Sequence, residues 1–142
     1  MFWDGRNELY PALLQEVHEA LPSAAGWRGF LDKYGIRWAV VRYQGEETVV
    51  SPEGKRLRPW SLSHFPPSEW ALVCWDDAGM VFARREGLLV PEWAVNPESE
   101  RWIREEVRAG RLAGETARSE LERKVRESPE CRRAARLLRS VP

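Results

Sequence analysis

The sequence is short of the residues that most chemistry needs. Two cysteines, Cys74 and Cys131, are too few for a disulfide framework. Cys74 lies inside an apolar run and reads as a small buried hydrophobe, while Cys131 lies in an Arg-rich tail. A bridge between them requires an oxidising compartment and is not implied by their spacing. The two histidines, His18 and His64, belong to no HxH, HExxH or Cys/His cluster, which excludes a recognisable zinc motif, and no other metal set is legible. No GxSxG or Cys-His arrangement marks a nucleophile. Ser51-Pro52-Glu53-Gly54-Lys55 lacks the glycine-rich strand-to-helix context of a phosphate loop, and no cofactor motif is present. No apolar run approaches the roughly 18–20 residues that span a bilayer, and the charged turn after Met1-Phe2-Trp3 does not read as a signal peptide.

Charge of one sign is also missing. The 22 basic and 22 acidic residues cancel, which argues against nucleic-acid or anionic-membrane binding through a global basic field. Residues 1–95 hold 10 basic and 13 acidic groups and residues 96–142 hold 12 and 9. The tail is mildly basic, but its signs are interleaved, as on a solvated helix surface.

What the chain does have is tryptophan, eight in 142 residues. Each buries roughly 150–250 Å², and a chain of this length buries roughly two thirds of its unfolded surface. A true core is therefore within reach. Tyr10, Leu13, Leu14, Val17 and Leu21 recur at the helical period and predict a helix over 7–21, ended by Pro22. Ser23 caps a second helix over 24–34, and Gly35 supplies a left-handed stop. Residues 36–43 are β-branched and aromatic, as in a strand buried on both faces. Residues 44–69 are rich in turn chemistry, with a short ribbon through Thr48–Val50 and Lys55–Arg58. Residues 70–75 and 80–84 predict a hairpin about Asp76-Asp77-Ala78-Gly79, with Gly79 where a positive φ is wanted. Asn96-Pro97-Glu98 and Ser128-Pro129-Glu130 read as helix starts, predicting helices over 97–109, 113–127 and 129–140. Glu100/Arg104 and Glu122/Arg126 have i,i+4 spacing.

These elements predict an α+β fold: a small mixed sheet of three to five strands packed by helices over 1–92, with an all-helical appendage over 96–142. Six residues stand out as candidate binding groups. Asp76 and Asp77 are adjacent acids that can hold a cation or share acid and base work, although Asp in a turn ordinarily bonds its own backbone. Asp4 and Arg6 sit where a first strand would end, or in a turn opening the first helix. Trp60 and Trp93 lie in loops, where an exposed ring can stack on a sugar.

Three segments form an ordered series over about residues 1–86: Trp3-Asp4-Gly5-Arg6 with Leu9-Tyr10; Trp27, Leu31, Tyr34-Gly35-Ile36 and Trp38; and Trp70-Ala71-Leu72-Val73, Trp75-Asp76-Asp77, Val81-Phe82 and Arg84-Arg85. The series resembles the soluble C-terminal domain of bacterial multi-spanning membrane proteins related to dolichyl-phosphate-mannose-type glycosyltransferases. Ala117, Leu121 and Pro129 resemble the second-helix half of a tetratricopeptide unit, whereas the first-helix positions do not match. The resemblance implies a non-catalytic accessory domain outside the cytoplasm. Its partner would be the parent membrane domain or another protein, with a carbohydrate or lipid-linked sugar in reach. It carries over no catalytic residue. Two other readings stand beside it: a small ligand-binding or enzymatic domain with a pocket at the sheet edge, and a cytosolic helical-repeat adaptor.

Overall fold

A computed structural model of the chain describes residues 11–141. Helix α1 (Pro11–Ala20) turns through Pro22 into α2 (Ala24–Lys33). Ser23 is extended, and its Oγ accepts from the Gly26 amide at 2.9 Å, a side-chain cap that satisfies one orphan donor of the first turn. Trp27, Phe30 and Leu31 form the buried face of α2. On the outer side, Lys33 and the Tyr34 hydroxyl both donate to Glu16, at 2.7 and 2.9 Å, and tie α2 back to α1. Gly35, at φ 58°, ends the helix as expected.

Five strands follow: β1 (Trp38–Arg42), β2 (Glu46–Ser51), β3 (Gly54–Pro59), β4 (Trp70–Trp75) and β5 (Gly79–Arg84). A short helix, α3 (Trp60–His64), joins β3 to the segment before β4. The expected single mixed sheet is instead two antiparallel sheets, β1-β5-β4 and β2-β3. The tight turn forces β4 and β5 to run antiparallel, and β1 then adds to the other side of β5, again antiparallel. β1 is an edge strand and is not buried on both faces: Ala39 is covered, but Val40 is 79% exposed and Trp38 50%. Its apolar outer row makes an edge strand read like a central one.

Gly79 is required for a different reason than its φ, which is not positive. A Cβ there would stand 2.3 Å from the Val41 carbonyl oxygen on the neighbouring strand. The residue is glycine because two backbones approach too closely for a side chain. Above the three-stranded sheet Phe65, 1% exposed, sits at the hub of the aromatic core. It stacks on Phe82 at 4.6 Å between centroids and meets Trp70 edge-on at 5.2 Å and Trp27 at 6.1 Å.

Beyond residue 99 the chain is built of helices: α4 (Glu100–Arg108), α5 (Gly114–Glu127) and α6 (Arg132–Ser140). Both proline-marked starts lie three residues early. Asn96 Oδ1 accepts from the Glu98 amide at 2.9 Å, a local Asx turn, and Ser99 becomes the cap of α4, accepting from the Trp102 amide at 3.0 Å. The Glu100–Arg104 pair forms at 3.7 Å, whereas Glu122 pairs with Arg118 at 3.8 Å rather than with Arg126. Val95, Ile103, Ala117, Leu121, Ala134 and Leu137 belong to the same buried cluster as the aromatic residues of the sheets.

Candidate functional site

Asp4 and Arg6 lie outside the described residues. The other four candidates are all engaged by neighbours, and they are not gathered into one place. Asp76 Oδ1 accepts from the amides of Ala78 and Gly79, at 2.7 and 3.1 Å, and so closes its own turn. Asp77 reaches out of that turn to the start of α6. Its carboxylate accepts from the Arg132 amide at 2.9 Å and the Arg133 amide at 2.7 Å, and the Cys131 thiol lies 3.6 Å away. Cys131, in the cap position, supplies no side-chain bond to the amides of its own helix. Asp77 caps α6 from another part of the chain, which explains why α6 starts at Arg132 and not at the proline. The two amides of α6, Arg133 first, hold the Asp77 carboxyl below the usual aspartate range, and burial pushes the Cys131 thiol up.

Trp60 stacks flat on His64, centroids 3.9 Å apart. His64 is 2% exposed, with Nδ1 3.1 Å from the Trp60 carbonyl and Nε2 3.0 Å from that of Leu21, so it pins α3 to the end of α1. Trp93 is a peg between sheet and tail. The ladder shifts register at Val73, and the Val73 carbonyl accepts from the Trp93 indole at 3.2 Å. The Trp93 amide bonds the Leu72 carbonyl at 2.7 Å, Trp75 meets the ring edge-on, and the Arg123 guanidinium of α5 lies 4.0 Å above it.

Two further carboxylates that the sequence did not mark as candidates tie distant segments together in the same way. Glu98, 8% exposed, leaves the Asn96 turn and accepts from three amides: Gln44 at 2.9 Å, Gly45 at 3.2 Å and Ser61 at 2.8 Å. Glu120 of α5 accepts from the amides of Ala94 and Val95, at 3.0 and 2.9 Å. Beside them Arg101 joins Glu46, which also accepts from the Ser99 hydroxyl; that hydroxyl first and Arg101 second hold the Glu46 carboxyl below its ordinary range. Tyr43 donates to the Asp76 carbonyl at 2.6 Å, and burial pushes its phenol up. The sequence signal for Glu98 was present in Asn96-Pro97-Glu98, but it pointed along the helix rather than across to the sheet.

Among the described residues, no three His, Cys, Asp or Glu side chains are grouped to hold a metal ion, and no helix is long and apolar enough to cross a membrane. Open surface remains at β1. A hollow of about 600 Å³ runs between the α1–α2 hairpin and this strand, lined by Val17, Trp27, Ile36, Trp38, Val41 and Arg42. Trp38 and Val40 stand exposed along the strand, and among the described residues no strand pairs with the side of β1 away from β5. Comparison of the chain with family models, with characterised proteins and with solved structures finds no match.

Proposed function

We propose that this chain is a non-catalytic interaction domain, the extracytoplasmic accessory part of a membrane glycosyltransferase-like protein, with its short helical-repeat-like tail clamped on the sheet. It takes its partner as an added strand on β1. The observation that carries this reading is the open edge itself: an exposed apolar row of Trp38 and Val40 beside a hollow of about 600 Å³. A segment laid against such an edge gains main-chain hydrogen bonds, and side chains on alternate positions enter the hollow. Arg42 at the end of the strand lines the hollow and makes no ion pair among the described residues, so the fitting partner is an extended apolar segment carrying one acid. The engagement of Asp76, Asp77, Glu98 and Glu120 with backbone amides supports the non-catalytic part of the reading, because their carboxylate oxygens are already taken up in holding the fold together.

Hydrogen exchange on the full chain tests it, using extended peptides selected from a displayed library. The expected result is fast exchange of the outward β1 amides in the free chain and protection by the selected peptides, lost in Val40→Pro. Protection already complete in the free monomer would mean that residues 1–10 cover the edge. Protection that grows with concentration would mean a second copy does. Either result, or peptides that protect another face, overturns the proposal.

A further inference from the structure

A second opening lies where β3 and α3 face α4. This cleft of about 320 Å³ is lined by Arg58 from β3, Leu62 from α3, Asn96, and Trp102, Ile103 and Glu106 from α4. A smaller hollow of about 150 Å³ shares Leu62 and Asn96 with it and continues to Trp93. The walls mix apolar groups with Asn96 and three charged side chains, and those charges are unevenly matched. Glu106 is held by two guanidiniums, Arg56 at 3.2 Å and Arg111 at 2.7 Å. Arg58, half-buried, has a third guanidinium that forms no ion pair among the described residues. Its Nε is buried without a hydrogen-bond partner, and Glu47, its cross-strand neighbour, forms no ion pair with it among the described residues.

Leaving a buried donor without an acceptor costs about 1–3 kcal/mol. Arg123 and Arg133 also bury an unpaired Nε, but Arg133 bonds the Pro97 carbonyl and Arg123 lies beside Glu127, whereas Arg58 has no such contact among the described residues. A carboxylate in the cleft meets the outer nitrogens of the guanidinium with parallel bonds that no group of the chain supplies among the described residues. Leu62, Ile103 and the Trp102 ring, which the Arg56 guanidinium already covers on one side at 4.5 Å, then favour an apolar body behind the charge. The volume stands at the low end of small-molecule sites, which run from about 300 to 1,000 Å³, and admits one ring or a short chain. We propose that this cleft is a binding site for a small amphiphilic carboxylic acid, its carboxylate on Arg58 and its apolar body against Trp102. The site shares no lining residue with the hollow at β1, so it stands or falls apart from the strand-addition reading.

Phenylacetate and its neutral isostere phenylacetamide are the probes, titrated into the full chain while the Arg58 Nε–H and Trp102 indole resonances are followed. Phenylacetate is expected to move both resonances to saturation in the millimolar range or below, and phenylacetamide is expected to move neither. Arg58→Met should weaken phenylacetate at least about tenfold, with Arg58→Lys intermediate, because lysine keeps the charge and loses the fork. If Arg58→Met does not fold, the acid-against-amide contrast and Arg58→Lys decide. No saturable shift with phenylacetate, equal shifts with both probes, or unchanged affinity in a folded Arg58→Met overturns the proposal.

Discussion

At the tip of the β4–β5 hairpin two adjacent aspartates share four backbone amides between them, two from their own turn and two from α6, whereas in the cleft between β3 and α4 the guanidinium of Arg58 keeps a buried nitrogen with no acceptor. The hairpin is the place where the sequence most suggests chemistry, and there every carboxylate is already answered by the backbone. The cleft carries no motif, and there a charge is left over. Placement of the acceptors and donors, not the local density of ionisable residues, separates structural charge from charge available to a ligand.

This contrast can be broken by removing answered charges one at a time. Glu98→Ala should cost most, about 3–5 kcal/mol, since it strands three amides, one of them buried, at the junction of sheet and tail; the urea midpoint of the full chain reads it. Glu120→Ala should cost about 1–2 kcal/mol by the same measurement, because only the Ala94 and Val95 amides lose their acceptor and the site is partly exposed. Asp77→Ala should lower the midpoint less again, as an exposed cap is screened by solvent. It should also change the response to acid. The folded-state pKa of Asp77 is depressed, so its contribution is fully present above about pH 4, the unfolded aspartate value, and is lost as pH falls through the depressed value. Midpoints measured from about pH 7 down to about pH 3 should therefore fall less steeply in Asp77→Ala than in the parent chain. Equal slopes would remove Asp77 from the list of answered charges.

Much of the fold was legible because it rests on local pattern. The stripes of α1 and α2, the Ser23 cap and the 70–84 hairpin are written in periodicity and turn residues. What was illegible depends on contacts between distant segments. Asp77 starts α6 from some 55 positions away in the chain, so the Ser128-Pro129 signal misplaced that helix. Gly79 is set by the carbonyl of Val41, invisible from the turn itself. The short α3 hides in a proline-rich stretch, held by His64 and by the amide of Ser61 on Glu98. For the candidate residues, Trp93 could be recognised as a loop aromatic but not as a peg, and Trp60, read as a loop residue, instead opens α3. Arg58 could not be recognised at all, since a missing partner leaves no mark in a sequence.

Arg58 is an unanswered charge and Glu98 an answered one, a difference read by the urea midpoints of Arg58→Met and Glu98→Gln, taken side by side in the full chain without ligand. The midpoint of Arg58→Met is expected at or above that of the parent chain, because a buried donor without an acceptor is removed and no bond is broken. That of Glu98→Gln is expected clearly below it. A drop in Arg58→Met as deep as that in Glu98→Gln would show that Arg58 is a structural ion like the others, and the cleft would lose its claim to a ligand.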